Sequence, residues 1–105
     1  MMARISVTEA ADADIDEISE YLAVKAGFRT VAKYHALFDR LYLRLSEHPA
    51  SGAPRPRIGR NIRIGVVSPY IVIYRYRRSS DTVAVLRVID GRRPITSRLL
   101  RPNAQ

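Results

Sequence analysis

The chain has 105 residues and a formal net charge of +8, with a pI near 10.6. That length makes one domain, expected to span 1–105, which can bury about 65% of its unfolded surface without staples. The absence of cysteine excludes a disulfide scaffold and thiolate zinc sites. Nowhere do 18 apolar residues run together, and the N-terminus has no apolar stretch of signal-peptide length, so the expectation is a soluble, cytoplasmic protein.

In chain order, Ala3 to Val7 alternates apolar and polar and reads as a short strand. Thr8 follows as a helix N-cap, its hydroxyl positioned to accept from an orphan amide of the first turn, and Glu9, Asp12, Asp14 and Asp16 suit the positive end of the helix dipole. Ala11, Ile15, Ile18 and Leu22 form one apolar stripe, and Gly27 ends the helix. A second helix is predicted from Thr30 to Glu47, with Tyr34, Leu37, Phe38, Leu41 and Leu45 on one face and Pro49 and Gly52 as stops. So short a connection makes the two helices an antiparallel hairpin, which needs a sheet face to cover its stripes. Ala50 to Asn61 is a basic Pro/Gly-rich connector, too short for a domain linker.

Ile62–Val67, Tyr70–Tyr76 and Thr82–Ile89 are rich in Val, Ile and Tyr and read as three strands, antiparallel because their loops are too short for crossovers. Tyr70, Val72, Tyr74 and Tyr76 share one face and Ile71, Ile73, Arg75 and Arg77 the other; in the last strand Ala84, Leu86 and Val88 oppose Val83, Val85, Arg87 and Ile89. Both strands are apolar on both faces for much of their length. One face suits the helical hairpin, and the other is a candidate docking surface rimmed by arginine. The tail from Ile95 to Gln105 is expected to add a helical turn around Ile95, Leu99 and Leu100. The fold class is therefore α+β, an N-terminal strand and an antiparallel helical hairpin on an antiparallel sheet, in the order β-α-α-β-β-β.

Charge is unevenly spread. Ala53 to Gln105 carries twelve arginines and two acids, a net of +10, while Met1 to Gly52 carries six cations and eight acids. In a domain this small such a field marks an interaction surface. The basic residues fall on strands and turns rather than on a basic amphipathic helix, which argues against a membrane partner. No Gly-rich phosphate loop, paired-His helix or acidic metal cluster occurs, so neither metal nor cofactor is expected. His35 and His48 are expected to be structural, and Asp12, Asp14, Asp16, Glu17 and Glu20 to be a solvated helix face. Tyr70, Tyr74 and Tyr76 could stack on bases, although cross-strand packing is the simpler role. The arginines are the strongest functional signal, because their planar fork suits carboxylates and phosphates.

The connector, Asn61-Ile62-Arg63, the strand Tyr70-Ile71-Val72-Ile73-Tyr74-Arg75 and the run Leu86-Arg87-Val88-Ile89-Asp90-Gly91-Arg92-Arg93 resemble the ParE family of the ParE/RelE toxin superfamily, over about Ile5 to Arg98. The resemblance implies a type II toxin–antitoxin system, with a ParD-like antitoxin whose acidic C-terminal segment wraps the toxin in a hetero-oligomeric complex and supplies most of the DNA contact. It also implies DNA gyrase as the target. Arg63, Tyr70, Tyr74, Arg75, Arg87, Arg92 and Arg93 are the residues expected to bind antitoxin or target. Asp90 departs from the histidine that many members carry two residues before the first arginine of the GRR motif.

The sister RelE-like branch cleaves mRNA on the ribosome. Such cleavage needs groups that take and give protons as well as cations for the transition state. Val83 to Gln105 contains no Tyr, His, Glu or Lys, and arginine is too basic to accept a proton at neutral pH. The expectation is a non-enzymatic gyrase poison with no catalytic residue; the alternatives are an mRNA interferase and an inactive toxin-like binding module.

Overall fold

The structure is a computed structural model and describes residues 2–101. Two helices, α1 (Glu9–Ala26) and α2 (Phe28–Glu47), lie on a five-stranded sheet of β1 (Arg4–Val7), β2 (Ala53–Pro54), β3 (Ile62–Val67), β4 (Tyr70–Arg77) and β5 (Thr82–Asp90). The sheet order is β1-β5-β4-β3-β2. The pairs among β2, β3, β4 and β5 are antiparallel, as short loops require. β1 pairs in parallel with β5, so the sheet is mixed, and the helical hairpin carries the chain from β1 across to β2 and β3 on the far side of the sheet.

Local chemistry accounts for the element ends. Thr8 caps α1 as its type predicts: its hydroxyl accepts from the Ala11 amide at 3.2 Å and donates to the Leu86 carbonyl at 3.1 Å. Gly27 joins the helices without an intervening loop. At φ 87° it takes a conformation that most side chains resist, its N–H donates to the carbonyls of Leu22 and Ala23, and its own carbonyl accepts from Val31. The second helix therefore starts at Phe28, two residues before the expected Thr30.

The principal core lies between the hairpin and the sheet, where Ala11, Phe38, Leu41 and Leu45 meet Val72, Tyr74, Val83, Val85 and Val88. Gly65 permits this approach, since a Cβ there would lie 3.0 Å from Leu41 Cδ1. The opposite face is not the open docking surface expected from the sequence. Ile58 from the connector and Leu99 from a short 3-10 turn (Ser97–Leu100) fold onto Ile62, Ile64, Ile73 and Ile89 and form a second core. The expected turn in the tail thus exists at its start, while 102–105 lie outside the described residues.

Strict alternation also fails in β5. The register steps from Ile73–Arg87 to Tyr74–Val85, leaving Leu86 as an extra residue in a bulge. Val83, Val85 and Val88 consequently share the helix-side core, whereas Leu86 and Ile89 pack on the other face. Among the described residues no helix is long and apolar enough to cross a membrane.

Candidate functional site: the Arg92–Arg93 loop and its neighbours

β5 ends at Asp90 and the chain turns at Gly91-Arg92-Arg93. The Gly91 amide donates to the Pro69 carbonyl at 2.7 Å, and a Cβ on Gly91 would sit 2.9 Å from that same oxygen. The glycine of the GRR motif is thus required because the β3–β4 turn presses directly on it. The Asp90 carboxylate accepts from the Arg92 backbone amide at 2.9 Å and from its guanidinium at 2.7 and 3.0 Å. These bonds, from the Arg92 side chain first and its amide second, hold the Asp90 carboxyl down at a pKa of about 2. The departure from histidine at position 90 therefore has a definite local consequence: Arg92 is folded back and partly neutralised. Arg93 is exposed and makes no ion pair among those found in the described residues.

Beside this loop lies a shallow groove of about 350 Å³ lined by Ile18, Tyr21, Val88 and Ile89, by Arg92 and Arg93, and by the carboxylates Asp14, Glu17 and Asp90, of which Asp14 is paired with Arg87 and Asp90 with Arg92. Tyr70 lines its inner wall with little exposure, its ring edge-on to Tyr34 at 5.5 Å and tilted against Phe38 at 6.0 Å. Burial pushes the Tyr70 phenol up from its ordinary pKa. Further along the hairpin, Tyr21 is 59% exposed and Val24 and Phe28 are each 84% exposed. This apolar strip starts in the groove and runs to the hairpin tip. The strip meets the exposed Arg93, a combination that suits an acidic amphipathic segment seated away from Glu17, the one groove carboxylate with no ion pair among those found in the described residues.

The remaining residues singled out in the sequence do not join that site. Tyr74 is fully buried; its hydroxyl donates to the Pro49 carbonyl at 2.8 Å and accepts from the Gly52 amide at 2.9 Å, and burial raises its pKa. Arg63 donates to the carbonyls of Ala50 and Gly52 at 3.0 and 2.7 Å. Both residues fasten the turn after α2; Tyr74 presents no surface to a partner, whereas Arg63 is half-buried and commits one of its guanidinium nitrogens to the turn. Arg87 is held by Asp14 through two bonds of 2.7 and 2.9 Å and donates to the Leu99 carbonyl at 3.0 Å. Hydrogen bonding to Asp14 raises the Arg87 pKa above its ordinary value. Arg75 lines a separate groove of about 480 Å³ with Glu17, Arg87, Leu100 and Arg101.

Asp14, expected on a solvated helix face, is instead held inside the fold by Arg87. Its side chain is only 11% exposed, and besides Arg87 it accepts from the Val88 amide at 2.9 Å, satisfying β5 just beyond the end of β1. The signal was present: Asp14 stands three residues after Ala11 and four before Ile18, on the edge of the buried stripe rather than opposite it. His35 bonds Ser19 across the two helices at 2.8 Å, in keeping with a structural role.

The family model described as "ParE toxin of type II toxin-antitoxin system, parDE" matches residues 5–95 of this sequence. The chain belongs to the ParE toxin family. The curated Toxin ParE3 of Caulobacter vibrioides is 26% identical over 98 residues, covering 93% of this chain and 96% of that protein. Two solved structures share the fold. One, described as a chromosomal ParDE TA system from P. aeruginosa, aligns with a TM-score of 0.70 at 22% identity over 85% of this chain and 96% of that one. The other, described as the toxin–antitoxin complex RelBE2 from Mycobacterium tuberculosis, aligns with a TM-score of 0.63 at 23% identity over 86% of this chain and 99% of that one. In this ParE-family chain the GRR motif is the exposed end of β5, and the preceding Leu86-Arg87-Val88 segment is its internal anchor.

Proposed function

We propose that this ParE-family toxin acts in the cytoplasm by poisoning DNA gyrase and is neutralised by a ParD-like antitoxin in a hetero-oligomeric complex. The observation that carries the reading is the exposed Arg92–Arg93 loop together with the exposed apolar side chains Tyr21, Val24 and Phe28 on a ParE-family fold. An acidic amphipathic antitoxin segment fits that combination, its apolar side against Tyr21 and its carboxylates toward Arg93. The two solved neighbours, described as a ParDE system and a RelBE2 toxin–antitoxin complex, support a partner of this kind. Of the seven residues singled out in the sequence, Arg92 and Arg93 are the ones assigned to antitoxin or target, with Tyr70 shaping the groove wall and Arg75 a secondary contact. Arg63, Tyr74 and Arg87 serve the fold instead.

A second reading, ribosome-dependent mRNA cleavage, is favoured by one feature: Arg75, Arg101 and the exposed carboxylate Glu17 line the same groove. Cations and a proton acceptor are two of the requirements for opening a phosphodiester. Expression of the chain in cells carrying a DNA-damage reporter separates the readings. The gyrase reading predicts induction of the reporter with intact mRNA, reversed by co-expressed antitoxin. Cleaved mRNA with a silent reporter would overturn it in favour of the nuclease, and harmless expression would point to an inactive binding module.

A further inference from the structure

A second concentration of charge lies at the far end of β4 from the Arg92–Arg93 loop, about 23 Å away along the strand. There the connector and the β4–β5 turn enclose a groove of about 690 Å³ whose rim includes Arg60, Arg77 and Arg78. All three are exposed, and Arg55 and Arg57 are exposed on the same connector. The ion pairs found among the described residues are Asp14–Arg87 and Asp90–Arg92, and no acid lines this groove. The backbone that carries Arg60 is nevertheless held in place. The carbonyl of Asn61, at φ 60°, accepts from the Tyr76 amide at 3.2 Å, and the Arg60 carbonyl accepts from Arg75 Nε at 3.3 Å, so the connector backbone is tied to β4. A set of like charges with no acid in the groove lining and no ion pair among those found in the described residues is matched by an external polyanion.

We propose that this groove binds the phosphate backbone of double-stranded DNA, with Arg60, Arg77 and Arg78 each taking a phosphate. Two observations favour DNA over an acidic peptide or a single strand. Among the described residues the exposed large apolar side chains are Met2, Tyr21, Val24, Phe28, Leu43 and Val66, none of which lines the groove; its exposed apolar lining is Pro54 and Pro56, too little to seat the apolar face of an amphipathic peptide. The one aromatic residue in the lining, Tyr76, is only partly exposed and its hydroxyl bonds the Asp81 carboxylate at 3.3 Å, which leaves no free platform for unpaired bases. Guanidinium forks on a polar rim suit phosphate oxygens without reading sequence. The contact requires neither gyrase nor antitoxin and stands independently of the gyrase reading.

The test is fluorescence anisotropy of the full chain with a labelled duplex of about 20 base pairs, titrated from about 50 to about 150 mM salt. Three phosphate contacts predict a log–log slope near −2.7, so that tripling the salt weakens binding about 20-fold. The variant R60Q/R77Q/R78Q should lose about 2.7 of that slope, whereas R29Q/K33Q/R40Q, which removes equal charge from exposed positions on α2, should keep it. All six side chains are exposed, so unchanged circular dichroism melting confirms folding. Absence of duplex binding at the lower salt, equal losses in both triple variants, tighter binding to a single strand, or displacement of the duplex by poly-glutamate at equal charge would each overturn the proposal.

Discussion

Replacing Asp14 with alanine should damage this protein more than any other change to its acidic helix. Asp14 accepts two charge-assisted bonds from Arg87 and one from the Val88 amide, all between 2.7 and 2.9 Å. The substitution leaves a guanidinium that is 23% exposed with the Leu99 carbonyl as its remaining partner, and strips the acceptor from a strand amide. Breaking a fully buried pair costs about 3–5 kcal/mol, and partial access of water to Arg87 brings the expected loss to about 3 kcal/mol. For a domain of this size that lowers Tm by about 12–20 °C. Removing both partners as Asp14→Leu with Arg87→Met should recover part of the loss, because no uncompensated charge remains. Thermal melts of the two single alanine variants and the double variant give the coupling, expected at about 1.5 kcal/mol or more. A fall of less than about 3 °C for Asp14→Ala, or additive effects in the cycle, would refute the view that this pair anchors the strand leading to the Arg92–Arg93 loop.

Three further outcomes follow from the same geometry. Tyr74→Phe removes the acceptor of the Gly52 amide and the donor to the Pro49 carbonyl, and should lower stability by about 1–2 kcal/mol in a denaturant titration without altering the fold. Asp90, with its pKa held at about 2 by Arg92, contributes stability that is present above its unfolded pKa and lost as pH falls through about 2; Arg92→Ala should return its carboxyl toward the ordinary range in an NMR titration, and an unmoved titration would show that another group sets it. The Arg92→Ala/Arg93→Ala double variant should fold normally and lose most growth inhibition, and undiminished inhibition would remove both residues from the target surface.

The two helices and the three long strands could be read from Ile/Val/Tyr-rich runs, one helical stripe and the stops at Gly27 and Pro49, because burial imposes a period that sequence displays directly. Three features stayed hidden for physical reasons. The parallel pairing of β1 with β5 is a contact across more than seventy residues, for which a four-residue strand offers no local sign. The bulge at Leu86 inverts the face of everything after it while leaving composition unchanged. The second core depends on Ile58 and Leu99, isolated apolar residues in basic segments whose burial arises only once the sheet exists. The candidate site was legible in its GRR motif, but arginine type alone could not distinguish the exposed Arg93 from Arg87, whose three guanidinium nitrogens all bond inside the molecule, or from Arg63, which commits one nitrogen to the turn after α2.

The central claim is most directly tested with purified gyrase, relaxed plasmid and the isolated chain, with and without a ParD-like antitoxin. The account predicts inhibited supercoiling with accumulation of linear, protein-linked DNA, and restoration of supercoiling when antitoxin is added. Full supercoiling with no linear DNA, at toxin concentrations that arrest growth in cells, would contradict it.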